Sequence, residues 1–225
     1  VVDIIVRRRE TGGLVNIQAT NAPHMLFSED NVVAKFNHNK SQWGLFYNLS
    51  ARNFKKTYTD IDETYVLENK TIHRVQEGLH DQNKHFTHNI DLSYNLTEQD
   101  KYVFNVVFRN SVYDAPCLNQ SNKLYDAADA DNYIFSRLKN KQSSYTPSLD
   151  LYYQRTLPKN QMLTMSVTGT LMHTDNNRLY HEYTPQAEDL AMIETDVTGN
   201  KRSIIGEAIY DKRFKFLVFS AGLRH

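Results

Sequence analysis

Three histidines, His80, His85 and His88, stand close together and are the first candidates for a metal centre. Successive side chains on a strand alternate between faces, so the spacing of His85 and His88 sends them to opposite sides. No cysteine or well-placed carboxylate completes the set, and real sites need three or four converging ligands. Asp126, Asp129 and Asp131 could offer oxygens to calcium, but the Gly and bidentate Glu of the calcium-loop motif are missing. Ser, His and Asp are abundant, yet there is no nucleophile-elbow sequence and no Gly-rich phosphate loop. The single Cys117 excludes an internal disulfide framework. Four Asn-x-Ser/Thr sequons, at Asn48, Asn69, Asn95 and Asn119, matter only in a glycosylating host, and two of them fall on expected strands. The expectation is a protein that is not an enzyme and carries neither metal nor cofactor.

Binding chemistry is better represented. Tyr58, Tyr65, His73, Arg74, Tyr180 and Tyr183 fall in or beside expected loops. Rings with polar tips, with a cation among them, suit sugars or peptides. An outer loop without any ligand explains the same residues. Charge is balanced, with 26 basic and 26 acidic side chains. That balance argues against a nucleic-acid partner held through a strongly basic surface.

The elements that must position these residues read as strands. Over 148–157, Leu149, Leu151 and Tyr153 alternate with Ser148, Asp150, Tyr152 and Gln154. Pro158, Lys159 and Asn160 supply a turn. Leu163, Met165, Val167 and Leu171 then alternate with Thr164, Ser166, Thr168 and Thr170. This is a two-faced antiparallel hairpin, apolar on one side and polar on the other. The unit recurs at 15–19, 32–36, 42–52, 90–96, 102–111, 204–210 and 216–223, which makes about nine main strands. A polar hairpin is expected at 63–66 and 72–75. Stretches 78–84, 116–132 and 175–200 read as loops, with 133–138 either a strand or a helical turn.

Short turns near Ser41, Gln99, Lys159 and Lys212 alternate along the chain with long connections near Pro23, Glu68, Tyr125 and Glu188. Antiparallel neighbours reverse direction, so all the short turns fall at one end of the sheet. Outer-membrane barrels are built that way, with short periplasmic turns and long extracellular loops. The clearest strands also reach the ~9–11 residues that a tilted strand needs to cross a bilayer. Trp43 sits beside a short turn on the apolar face, where an interfacial anchor belongs. The fold expected is all-β, an antiparallel up-and-down transmembrane β-barrel, partial and of about nine strands. The alternative is a soluble or surface-attached all-β binding module with the apolar face turned inward.

Val1-Val-Asp-Ile-Ile-Val-Arg-Arg-Arg-Glu-Thr-Gly-Gly-Leu-Val-Asn-Ile17 resembles the plug-to-barrel junction of TonB-dependent outer-membrane receptors. Asn48-Leu-Ser-Ala-Arg-Asn-Phe-Lys-Lys56, Thr71-Ile-His-Arg-Val-Gln-Glu-Gly78 and Asp91-Leu-Ser-Tyr-Asn-Leu-Thr-Glu-Gln-Asp-Lys-Tyr-Val-Phe104 are similar to early barrel hairpins of the gut-bacterial branch, as is Phe219-Ser-Ala-Gly-Leu-Arg-His225. The resemblance implies that 1–12 end a plug domain, with its last strand at 2–6, and that 13–225 are the N-terminal portion of the barrel. Barrels of such transporters have about 22 strands, so the chain would be a fragment of one. The resemblance further implies nutrient uptake across the bacterial outer membrane, with lipid around the wall. It places an energising TonB-type inner-membrane complex on the plug, and a surface lipoprotein among the candidate partners.

Overall fold

The structure, a computed structural model, describes residues 11–22, 24 and 27–225. The strand expected at 2–6 lies outside them. The described residues contain eleven β-strands and no α-helix. They are β1 (Thr11–Ala22), β2 (Phe27–His38), β3 (Ser41–Thr57), β4 (Ile61–Leu67), β5 (Lys70–Leu79), β6 (Asp81–Glu98), β7 (Tyr102–Asp126), β8 (Asp129–Leu157), β9 (Gln161–Tyr183), β10 (Asp189–Arg213) and β11 (Val218–Arg224).

All belong to one antiparallel sheet. Its main path runs β1-β2-β3-β6-β7-β8-β9-β10-β11, with the β4–β5 hairpin attached to β7 through β5. The nine strands of that path match the number expected, and the polar hairpin adds two. The sheet is open: β1 pairs with β2 and β11 with β10, but β1 and β11 do not pair with each other.

Residues directly opposite in an antiparallel pair share a face. One cross-strand row on that basis reads Phe36, Trp43, Tyr94, Val106, Leu151, Val167 and Gly206. Neighbouring rows on this side add Ala34, Leu45, Leu92, Phe108 and Leu149. The apolar halves of the separate alternations therefore merge into one continuous face. Nothing among the described residues covers it: Ile17 is 70% exposed, Trp43 53%, Val167 43% and Ile204 78%. Among the described residues the only buried apolar side chains are Ala51, Ala115 and Leu124.

The opposite face is polar and tied across strands. Asn48 donates to Asn31 at 2.8 Å, Asn89 to Asn48 at 3.3 Å, and Ser111 to Asn89 at 2.8 Å, a ladder over β2, β3, β6 and β7. Arg109 pairs with Asp150, which also accepts from Thr168. Such pairs fix the register, because a slip of one residue would turn every amide and hydroxyl to the wrong side.

Strand length departs furthest from expectation. The segments 78–84, 116–132 and 175–200 are mostly strand, and β7 to β10 run 25, 29, 23 and 25 residues. The connections left are turns such as 127–128 and 184–188. The sorting of loops by length is thus a sorting of strand overhang: both ends carry turns, and the strands extend far beyond the apolar region at only one end. Segment 133–138 is strand, and the final turn falls at 214–217.

Pro116 lies within β7 without breaking it. Registers with both neighbours shift by one residue there, between Lys84 and Phe86 on β6 and between Ala115 and Leu118 against β8. One extra residue on β7 accounts for both shifts, a β-bulge in which the missing N–H of proline is tolerated. The bulge also exchanges the faces of β7. Below it the even-numbered residues Phe104, Val106 and Phe108 share the apolar side; above it the odd-numbered Lys123 and Tyr125 do.

Candidate functional site

The overhanging ends of the strands carry the binding chemistry, and a fork in the sheet organises it. β3 leaves its pairing with β6 at Thr57, and β6 begins at Asp81. Between them the β4–β5 hairpin crosses over to pair with the upper part of β7, Leu79 opposite Ser121 and Arg74 opposite Asp126. Gly78 permits this crossing. A Cβ there would stand 2.5 Å from the Thr59 nitrogen and 2.7 Å from its oxygen, and the Gly78 N–H donates to Asp60 Oδ1 at 2.7 Å. Only a residue without a side chain fits so close a backbone approach.

The fork encloses a cavity of about 270 Å³. Tyr58 stands at its rim, its ring edge-on to His80 with centroids 5.3 Å apart. Asp81, Asn83 and Asn140 supply polar lining, and Leu79, Leu118 and Leu138 an apolar wall. Thr57 Oγ1 donates to the Asp81 carbonyl at 3.1 Å and accepts from Asn83 Nδ2 at 2.5 Å. Two buried oxygens on one face here have no hydrogen-bond partner, Asp81 Oδ2 and Asn140 Oδ1; Ser121 Oγ, also without one, lies on the opposite face with Arg137.

The six expected ligand residues do not converge. Tyr58 belongs to the fork. Arg74 and Tyr180 lie on the polar face of the overhang; Arg74 reaches Glu63 at 3.8 Å, and the Tyr180 hydroxyl donates to Glu182 at 2.5 Å. Burial, followed by the Glu182 carboxylate, raises the pKa of Tyr180 above that of an ordinary phenol. Tyr65 shares that side but is 40% exposed on β4. His73 and Tyr183 lie on the opposite side, His73 against Asp62 at 2.5 Å. Tyr183 stacks on Phe135 at 5.4 Å, which meets Tyr133 edge-on at 5.5 Å. Lys123 caps the Tyr133 ring at 4.5 Å and the Tyr125 ring at 4.8 Å. Tyr125 donates to Glu77 at 2.7 Å, and that bond raises its pKa.

Sequence reading missed Asp81, Asn83 and Asn140 at the fork and Phe135 in the aromatic row. Gly78 was the available signal: it opens the stretch expected as a loop, and the structure puts it within β5, where a glycine marks a close backbone approach. His85 and His88 do lie on opposite faces, paired with Arg52 and Leu49. No group of three or more His, Cys, Asp or Glu among the described residues could hold a metal ion. No protein family, curated protein or solved structure matches this chain.

Proposed function

We propose that this chain is wall and outer rim of a bacterial outer-membrane β-barrel, a fragment of a TonB-dependent receptor-like transporter for nutrient uptake. The observation that carries the reading is the continuous, uncovered apolar face between two rows of aromatics. Toward the short turns stand Phe36, Trp43, Tyr94, Phe104 and Tyr153, with Trp43 and Tyr94 ring centroids 4.3 Å apart. Toward the overhang stand Tyr47 with His88, joined at 2.8 Å, and Tyr145 with His173, ring centroids 5.2 Å apart. Aromatic girdles flanking an outward apolar band about 25 Å tall are the signature of such barrels. On β8, Tyr145 and Tyr153 lie about 27 Å apart at the usual rise per residue, about 20 Å along the membrane normal once tilted.

In water, an apolar face of this extent would need a second layer. In lipid it needs none. The polar face then lines the interior, and the overhanging strands of β7 to β10 stand outside as a ligand-capturing rim. Closure takes further strands beyond β1 and β11, because unpaired backbone groups cost several kcal/mol each in hydrocarbon. The remaining parts of the reading, a plug at 1–12, its energising inner-membrane partner and a surface lipoprotein, rest on the sequence resemblance.

Extraction is the test. The chain is expected to sediment with outer membranes, to require detergent for release and to partition into the detergent phase. Recovery in buffer as a detergent-free monomer would overturn the membrane assignment in favour of the soluble binding module.

A further inference from the structure

We infer that the cavity at the β3–β6 fork binds the protonated amine of a small organic cation. The fold of the fork carries this site independently of the membrane reading. Among the described residues Asp81 is the only carboxylate in the lining, and no Lys or Arg lines the cavity with it. It makes no ion pair among the described residues. Lys55 and Lys56, in the irregular stretch of β3 just before Thr57, are exposed and do not line the cavity; Lys84 lies over the Phe86 ring at 5.1 Å, and Lys139 stands opposite Asn119 on the far face. The lining therefore carries one carboxylate and no cationic side chain to pair with it.

Its unmet hydrogen bonding has the same sign. Asp81 Oδ2 and Asn140 Oδ1 are acceptors on the same face of the sheet, and both are buried and without partners. Buried acceptors left unpaired cost about 1–3 kcal/mol each, so a group bringing several N–H donors has a large differential to gain. An ammonium carries three donors and the missing charge. The exposed Tyr58 ring at the rim adds a face that attracts cations.

The rest of the lining distinguishes an organic cation from a metal ion. Leu79, Leu118 and Leu138 give the cavity its apolar wall, and its volume of about 270 Å³ far exceeds that of one ion. A hard cation demands six to eight oxygens and gains nothing from leucine. An alkyl chain behind an ammonium group uses that wall.

The experiment titrates the full chain with n-butylammonium, n-butanol and calcium chloride, following binding by saturation-transfer NMR and calorimetry. It is run in detergent micelles, or in buffer alone should the chain need no detergent, so that failure of the membrane reading leaves this test intact. Saturable n-butylammonium binding is expected, at least tenfold tighter than n-butanol. Asp81→Asn should weaken it about tenfold, and Asn140→Ala, which leaves the charge in place, by a smaller factor. Equal binding of amine and alcohol would overturn the inference, as would unchanged affinity in folded Asp81→Asn. Displacement of the amine by millimolar calcium would make this a metal site, and absence of saturable binding would leave only water in the cavity; either result overturns it too.

Discussion

Val167 and Thr168 are adjacent on β9 and face opposite ways. Val167 lies opposite Leu151 and Gly206 on the apolar side, 43% exposed. Thr168 donates to Asp150 at 2.8 Å on the polar side. Val167→Arg should cost about 2–4 kcal/mol in a bilayer, whereas Thr168→Arg, beside the Asp150 carboxylate, should be close to neutral. Folding titrations into lipid vesicles measure both, and equal costs would count against the sidedness. At Gly78 the constraint is steric. Gly78→Ala forces its Cβ into the Thr59 backbone, and overpacking of this kind costs about 1–3 kcal/mol. The strain is local, so limited proteolysis should cut the β4–β5 hairpin sooner while β8 and β9 stay protected.

Elements are held by their turns and by the bulge. At the short-turn end Glu98 bonds Lys101 at 2.7 Å and Lys40 at 2.9 Å, joining the β2–β3 and β6–β7 turns. These two lysines hold its carboxyl at about 2, below its ordinary 4.5. The stabilisation is therefore complete above pH 4.5 and is lost as the pH falls from there toward about 2. Amide exchange in the two turns should speed up through that window, and Glu98→Gln should remove the pH dependence. The β7 bulge makes a sharper prediction. Deleting Pro116 restores uninterrupted alternation and turns the overhang of β7 over. Leu124, 6% exposed, would leave its place between Gln76 and Ile134. With Cys117 replaced by serine, a Leu124→Cys probe should resist maleimide in the native register and react readily after the deletion.

At the scale of the molecule the open sheet governs behaviour. Bacterial single-chain barrels have even strand numbers because both chain ends return to the periplasmic side. The main path here has nine strands, with β1 and β11 at its edges. Residues 1–225 refolded alone in lipid should give no discrete single-channel conductance and no heat-resistant compact band on a gel. A steady conductance step with protease-resistant protein would show that the edges find each other. The uncovered face also sets solubility, since a flat apolar sheet with two free edges associates in water.

Much of this was legible in the amino-acid order wherever the two sides of a strand differ sharply in polarity. The alternation of Leu149 with Asp150, or Met165 with Ser166, fixes both a strand and its faces, because period two is a local property of the backbone. The tight turns at Asn39 and at Lys159–Asn160 were readable from their asparagines, which adopt positive φ at low cost. The overhang was not legible. Above the bulge both faces are half wet, Lys139 and Arg137 on one side against Asn140 and Ser136 on the other, so no contrast marks the period. There β7, β8 and β9 persist through pairing with neighbours on both sides, β10 through β9 alone, and all through cross-strand contacts such as Phe135 on Tyr183. The bulge at Pro116 also reverses which residues share a face, which alternation alone reads as the end of a strand. The fork cavity gathers Tyr58, Asp81 and Asn140 from well-separated parts of the chain, and only the crossing of the β4–β5 hairpin brings them together.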